Sequence, residues 1–347
     1  MNVHRIGISG AGFGIKAHLP ALLAHPDFHV VALASPHTAR AVARERDIPH
    51  AFSSCAEMIA GCDLDAVVVA SPPFTHHDDV LAALNAGKHV MCEKPFALNV
   101  AQAQAMLEAS LRAGTACGVA HEFRFVPQRA ALKEMVANGH LEPLREIEMA
   151  HLTRWLGASG TRGRGWWFER EGGGGIAGAL LSHAIDSASW TAGRIPKRSR
   201  GLLRTANPQR HDRDGEFTST VDDGAFALID YGDGAVARLS VDAATAIESF
   251  TFAVHGENRT AVASGSGITE MQLFSVDDEE TSELECRPSP YKKFESINAN
   301  VPLLMELYDE FARAIKKETS ALPTFAEALE TQKVLESVGY TTAGSDL

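Results

Sequence analysis

The chain has 347 residues, a length that fits two domains better than one or three. Charged residues make up 22% and hydrophobic residues 45%, the composition of an ordinary soluble globular protein rather than a disordered one. Lysine and arginine number 32 against 44 acids, a formal charge of −12 that disfavours partnership with a nucleic-acid backbone or an anionic membrane surface.

Cys55, Cys62, Cys92, Cys117 and Cys286 form no disulfide or zinc spacing, and their usage suits a reducing compartment. No metal site is expected. The opening MNVHRIGISGAGFG lacks the basic-then-apolar layout of a signal peptide, and no apolar run approaches the length of a membrane span. The expectation is a soluble, cytoplasmic enzyme.

Short, non-alternating apolar runs at Val3–Ser9, Phe28–Ala34, Ala66–Ala70, Val90–Cys92 and Ala116–Ala120 predict strands buried on both faces. Helical stretches fall between them at Thr38–Arg46, His76–Ala86 and Asn99–Ala113, with Gly87 and Gly114 where helix C-caps belong. Strand–helix alternation at this period predicts a parallel, doubly wound sheet.

Past residue 121 the texture changes. HEFRFVP (121–127) leads into a helix at Gln128–Ala137. Alternating strands come next at Arg145–Arg154, Gly224–Asp230, Ala235–Val241, Ser249–His255 and Arg259–Ser264, separated by turn residues that predict an antiparallel meander. The polar stretch Arg204–Thr220 reads as a long loop. Helices at Pro302–Lys317 and Thr324–Val338 close the chain. The expected division is a dinucleotide-binding domain over 1–121 and an α+β domain with a large open sheet over 122–347, its last helix packing back on the first.

Gly10-Ala11-Gly12-Phe13-Gly14 joins the first strand to a helix. Gly10 allows a tight turn, and Gly12 lets backbone N–H groups approach a pyrophosphate at the helix N-terminus. The third glycine of G-x-G-x-x-G is displaced, since Gly14 comes one place early and Ile15 holds the expected site. A turn without a ligand, or a site for another nucleotide, remains the alternative. The second strand ends Leu33-Ala34-Ser35-Pro36-His37-Thr38-Ala39-Arg40, without the carboxylate that an NAD ribose would bond. Ser35 and Arg40, with His37 near, instead suit a 2′-phosphate, which favours NADP over NAD. The competing view makes Arg40 an ordinary solvated helix residue.

Ser71-Pro72-Pro73-Phe74-Thr75-His76 ends another buried strand, and Ala86-Gly87-Lys88-His89-Val90-Met91-Cys92-Glu93-Lys94-Pro95 carries the next. With the glycine turn, these segments resemble the Gfo/Idh/MocA oxidoreductase family, and the resemblance covers the whole first domain in order. It implies a hydride transfer between nicotinamide and a carbinol or carbonyl carbon of a sugar, polyol or derivative. Lys94 then acts as the acid/base, and Gly10, Gly12, Phe13, Gly14, Ser35, Arg40, Ser71, Pro72, His76, Glu93 and Lys94 line the cofactor. An amine in that role has to exchange its proton near neutral pH. Glu93 positions the loop, and Pro95 fixes it, with a cis peptide suggested by the resemblance. The plain alternative is a surface lysine paired with Glu93.

Gly172–Gly175 precede a helical run in which Ala179, His183, Asp186 and Trp190 share a face. Family members often carry D-x-x-x-H here. His183 is kept, whereas Ala179 stands at the Asp position. His183 is therefore expected to bind a substrate hydroxyl and Asp186 to orient its imidazole; the alternatives are a packing role for His183 and local structural hydrogen bonds for Asp186. Arg124, in an R-F-x-P segment, and His151, on a strand face with Ile147, Met149 and Thr153, are further substrate candidates. Trp166 and Trp167 form a sugar-stacking wall or plug the core. Two rival functions stay open: a non-catalytic dinucleotide sensor, and a glycosidase that oxidises and re-reduces its sugar on NAD. The resemblance also implies a homodimer or homotetramer formed through the second-domain sheet.

Overall fold

The computed structural model describes residues 3–157, 162–267, 270–277 and 280–340. It divides into two compact units: one of 1–122 with 289–329, the other of 123–288 with 330–347.

The first unit is built on six parallel strands: β1 (His4–Ser9), β2 (Phe28–Ala34), β3 (His50–Phe52), β4 (Ala66–Val69), β5 (His89–Cys92) and β6 (Cys117–Val119). They lie in the order β3-β2-β1-β4-β5-β6, so the winding reverses between β1 and β4. A doubly wound sheet of this order binds dinucleotides at that reversal. The core-facing Val67, Val69, Val90 and Cys92 pack with Met106 and Ala109, as the non-alternating runs require.

The connecting helices are α1 (Leu19–Ala24), α2 (Ala39–Glu45), α3 (Cys55–Gly61), α4 (Pro73–Asn85) and α5 (Val100–Ala113). Local chemistry sets their ends. Asn99 accepts the Gln102 N–H at 2.9 Å before α5, and Gly114 closes that helix at φ 64°. Ser54 and Glu57 form a capping box on α3. Neither β3 nor α3 has a signature that the sequence pattern resolves; His50–Phe52 is only three residues long.

In the second unit α6 (Pro127–Ala137) and α7 (Ser182–Ala192) lie against one face of an eight-stranded sheet. Its strands include β7 (Leu144–Leu152) and β8 (Arg198–Arg204); β9 (Gln209–Asp212) and β10 (Gly215–Thr218) form a separate hairpin. The large sheet continues with β11 (Gly224–Gly232), β12 (Ala235–Asp242), β13 (Ser249–Gly256), β14 (Thr260–Gly265), β15 (Met271–Val276) and β16 (Thr281–Leu284). The order is β16-β15-β14-β13-β7-β12-β11-β8, with β7 parallel to β12 and antiparallel to β13. The expected meander is thus opened in its middle to admit the earliest strand.

The loop expected at Arg204–Thr220 is in fact the end of β8 and the β9–β10 hairpin. Its strands are short and mostly polar, with half-buried Arg210, Asp212 and Phe217 among exposed residues, and Asp212 shapes the turn by accepting the Asp214 N–H at 2.9 Å. Edge strands β8 and β16, also mostly polar, escape the sequence pattern too.

Helix α8 (Val301–Ile315) and the start of α9 (Phe325–Ser337) belong to the first unit, so the chain crosses between the units three times, after 122, 288 and 329. Aromatic packing explains the return. Phe311 stacks on Phe28 at 5.9 Å and Tyr308 meets the same ring at 5.5 Å. Phe96 likewise packs on Phe325 at 4.5 Å, and Val119 N–H donates to Pro323 O.

Candidate functional site

The glycine turn lies at the reversal between β1 and β4, and each glycine has its own cause. At Gly10, φ is +113° and an added Cβ would stand 2.1 Å from Ala70 O, so two backbone segments touch there. At Gly14 an added Cβ would meet Ala70 Cβ and Ile8 Cγ2 at 3.2 Å. Gly14 therefore performs the close helix-to-sheet packing assigned to the third fingerprint glycine, one residue early. The helix starts at Gly14 with a π turn, Gly14–His18, before α1. Gly12 has nothing within 4 Å of an added Cβ.

Among the described residues the N–H groups of Ala11, Gly12 and Phe13 donate to no backbone oxygen, whereas Gly10 N–H is spent on Ala34 O at 2.9 Å. Open space over unspent donors at a helix start fits a dinucleotide pyrophosphate. Ser35 bonds Thr38 through their hydroxyls at 3.0 Å. Arg40 is exposed on α2, makes no ion pair among the described residues, and lies close enough to help hold the Glu57 carboxyl below its usual range.

Lys94 stands just past β5, half-buried, and the Lys94–Pro95 peptide is cis. Its loop is held from three sides. Glu93 is buried; its Oε2 accepts the Lys94 N–H at 3.1 Å, and its Oε1 lies 2.7 Å from His18 Nε2. His18 in turn places Nδ1 2.6 Å from the Tyr308 hydroxyl, and Phe13 packs edge-on against its ring at 5.6 Å. Burial works against charge on Glu93, but the His18 bond and the nearby Lys94 and His76 keep its carboxyl below the usual range.

His76, expected among the cofactor contacts, is instead a strut. Its ring is buried, with Nδ1 3.0 Å from Pro95 O and Nε2 2.8 Å from Ser71 O, which ties the β4 loop to the β5 loop. Burial pushes its pKa down. The Ser71 hydroxyl turns inward to Asp79 at 2.9 Å, where Ser9 and Thr75 also donate, so Ser71 and Pro72 offer mainly backbone at the reversal. Burial raises the Asp79 carboxyl.

In the second unit Gly172 and Gly174 fold tightly onto the backbone of the two tryptophans, and Gly175 onto Asp222 and Val221. An added Cβ on Gly174 would stand 2.1 Å from Trp167 O, and one on Gly172 would stand 2.8 Å from Trp166 O. The run is therefore explained by packing, and Trp167 is buried as a core plug. Asp222 caps the next turn, its Oδ2 accepting the Ala177 N–H at 2.7 Å. That turn, Ala177–Leu181, is a second π turn and opens α7. His183 is buried one turn on, stacked on Phe123 at 4.0 Å and 22°.

Three substrate candidates have buried partners here. Both Asp186 oxygens accept from the Arg124 guanidinium in a buried fork. Arg124 is thereby held in the interior, resting over Trp190 at 5.6 Å. His151 packs edge-on against Phe250 at 5.4 Å, and burial, with Arg129 near, lowers its pKa to about 4. It is a neutral core residue. Arg129, which the sequence does not single out, is buried over Phe123 and Phe250 and donates to the Ser187 hydroxyl at 2.7 Å.

The sequence pattern misses His18, Tyr308 and Asp79. His18 lies four residues past Gly14, a faint cue, but nothing in spacing links it to residue 308. Among the described residues, no group of three or more His, Cys, Asp or Glu is placed to hold a metal ion, and no helix is long and apolar enough to cross a membrane.

A parallel sheet wound in this order, with a glycine cradle at its reversal, is the arrangement of a dinucleotide-binding domain. Residues 4–121 match the model of the oxidoreductase family with NAD-binding Rossmann fold, and residues 130–262 match the family's C-terminal domain. The chain belongs to the Gfo/Idh/MocA oxidoreductase family, a class of NAD(P)-dependent dehydrogenases and reductases.

An uncharacterized oxidoreductase of Synechocystis is 34% identical over 190 residues, 54% of this chain, and the chain spans only 51% of that protein's length. Levoglucosan dehydrogenase of Pseudarthrobacter phenanthrenivorans is 27% identical over 301 residues, 79% of this chain and 77% of that protein. A solved levoglucosan dehydrogenase in complex with NADH has the same fold, with a TM-score of 0.84 and 22% identity over 97% of this chain and 96% of that one.

Proposed function

We propose that the protein passes a hydride between a nicotinamide dinucleotide and a carbinol or carbonyl carbon of a sugar, polyol or sugar derivative. The observation that carries this is the Lys94 loop, held by Glu93, His18 and His76 at the end of β5 beside the reversal of the sheet. When bound, the dinucleotide supplies the ring that takes up or gives the hydride. The chain supplies the rest: Ala11, Gly12 and Phe13 N–H groups meet the pyrophosphate, and Lys94 bonds the reacting oxygen and moves its proton. His183 holds a substrate hydroxyl. The name of the levoglucosan dehydrogenase relative supports a sugar-like substrate.

NADP is the favoured cofactor, since Ser35 and Arg40 stand where an NAD enzyme carries a carboxylate. A homodimer or homotetramer through the second-unit sheet belongs to the same proposal, supported by Leu202, Leu228 and Val236, which stay exposed on that sheet. So does a cytoplasmic setting, which suits five free cysteines.

The test is a panel of sugars, inositols and other polyols with NAD and NADP, read by absorbance of the reduced nicotinamide. Turnover on at least one carbinol supports the proposal. Dinucleotide binding with no turnover on any member favours a sensor, and sugar release without net cofactor change favours a glycosidase.

A further inference from the structure

The buried line Tyr308–His18–Glu93–Lys94 joins three segments that are far apart in sequence, and it ends on the peptide nitrogen of the proposed acid/base. Tyr308 comes from α8, His18 from the π turn after the glycines, and Glu93 and Lys94 from the loop after β5. Tyr308 and His18 are fully enclosed, so the phenol proton and both ring nitrogens must find partners inside the protein. The geometry supplies them: Nδ1 to the hydroxyl at 2.6 Å, Nε2 to Glu93 Oε1 at 2.7 Å.

With Glu93 ionised, Nε2–H donates to the carboxylate and the Tyr308 O–H donates to Nδ1. The carboxylate, which can only accept, thereby selects the Nε2–H tautomer of His18, and the Tyr308 hydroxyl completes it at Nδ1. Glu93 then has one oxygen fixed by His18 and the other accepting the Lys94 N–H at 3.1 Å. We infer that His18 and Tyr308 are positioning residues for Lys94, acting through Glu93 to fix the backbone and the counter-charge from which the amine works. The inference rests on the proposal that Lys94 is the acid/base.

Its alternative is that the line merely fills the interior where α8 meets α1. Packing alone does not need a donor at the Nε2 position; an apolar side chain of similar volume would serve. Positioning does need it, because a buried carboxylate without a donor drifts toward its protonated form. The groups that bear on Glu93 are His18 from the π turn, Lys94 and Cys92 beside it in the chain, and His76 from α4; Tyr308 from α8 stands behind His18, with Glu122 near it.

Three variants of the full chain test this, each measured for kcat, KM, dinucleotide affinity and the pH profile of kcat. His18→Leu removes the donor, and His18→Gln replaces it with an amide N–H near the same place. Tyr308→Phe removes the hydroxyl partner of His18 Nδ1 and keeps the ring. The expected result for His18→Leu is a kcat about tenfold lower or more, an acid limb of the profile moved to higher pH, and dinucleotide affinity within about twofold of the parent. His18→Gln should recover most of kcat and the parental limb. In the parent without cofactor, 15N spectra of the imidazole should show His18 protonated at Nε2, and Tyr308→Phe should weaken that preference and shift the limb in the same direction.

Parental kcat and pH profile in His18→Leu, or His18→Gln no better than His18→Leu while folded, overturns the inference. If His18→Leu does not fold, Tyr308→Phe decides: a parental limb and unchanged 15N spectrum overturn it. Lys94→Met is measured in parallel. An inactive Lys94→Met beside unaffected His18 and Tyr308 variants rejects the positioning role alone, whereas an active Lys94→Met removes the acid/base proposal and this inference with it.

Discussion

Arg124 holds Asp186 in a two-bond fork, Nε to Oδ2 at 2.9 Å and Nη2 to Oδ1 at 2.5 Å, with their side chains only 4% and 2% exposed. Each carboxylate oxygen gives one lone pair to the fork. Removing one partner leaves an uncompensated charge in the interior. Arg124→Ala should therefore lower unfolding free energy by about 3–5 kcal/mol, while the double change Arg124→Leu with Asp186→Leu should cost far less. Urea denaturation of the two variants against the parent measures the contrast, and equal losses would show that shape rather than charge governs the pair.

Gly10 and Gly12 should separate stability from binding. Gly10→Ala places a Cβ against Ala70 O at a positive φ, so it should destabilise the first unit, on the order of 1–3 kcal/mol from backbone strain alone. Gly12→Ala meets open space and should leave the melting temperature unchanged. The new methyl stands where the pyrophosphate has to approach, so dinucleotide affinity should fall by about tenfold or more, roughly 1.4 kcal/mol. Calorimetric melting and fluorescence titration of each variant distinguish the two effects.

The stability of the second unit should respond to pH in two opposed ways. Burial raises the Asp222 carboxyl from 3.8 to about 6, so its contribution is full below the unfolded value and is lost as pH rises through 6. Burial, and then Arg129, lowers His151 from 6.5 to about 4, so its contribution is full above 6.5 and is lost as pH falls through 4. Asp222→Asn should leave stability rising more steeply with pH between 4 and 6 than in the parent. His151→Phe should leave it falling. Each swing should be on the order of 2–3 kcal/mol across the window, since a tenfold change in acidity is worth about 1.4 kcal/mol. Urea midpoints at pH 4, 5, 6 and 7 check both signs.

Cofactor choice should turn on the end of β2. Arg40→Ala should weaken NADPH binding by about 1–2 kcal/mol and leave NADH little changed, and Ser35→Asp should reverse the order. Titration by tryptophan fluorescence provides the affinities. Tighter binding of NADH than NADPH by the parent would contradict the assignment.

The parts of the fold legible in the sequence are those where one short segment suffices. Buried parallel strands announce themselves as unbroken Val and Ile runs, and α5 by Asn99 and Gly114 at its ends. The parts that stay hidden depend on partners distant in the chain or on exposure. Arg204–Thr220 looks like a loop because its hairpin strands are short and polar, and its half-buried positions include Arg210 and Asp212 rather than an apolar row. The return of α8 to the first unit rests on Phe311 and Tyr308 finding Phe28, a match that no periodicity encodes.

The candidate site divides the same way. Gly10, Gly12 and Lys94 stand out in the sequence because each follows a readable strand, although the close approach of Gly10 to Ala70 O lies outside that segment. For His76, Arg124 and His151 residue type gives chemistry without address: two of the three have buried hydrogen-bond partners and the third an aromatic one. Gly14 is legible as a glycine but not as the packing glycine, since the π turn after it shifts the register of the helix by one residue.

The most direct test is a single-turnover measurement with Lys94→Met, once a reacting sugar or polyol is in hand, together with NADPH affinity of the same variant. The expected result is hydride transfer slowed by at least about a hundredfold, the scale of a lost general acid or base, with affinity within about twofold of the parent. Transfer at the parental rate would contradict the assignment of Lys94 as the group that moves the proton.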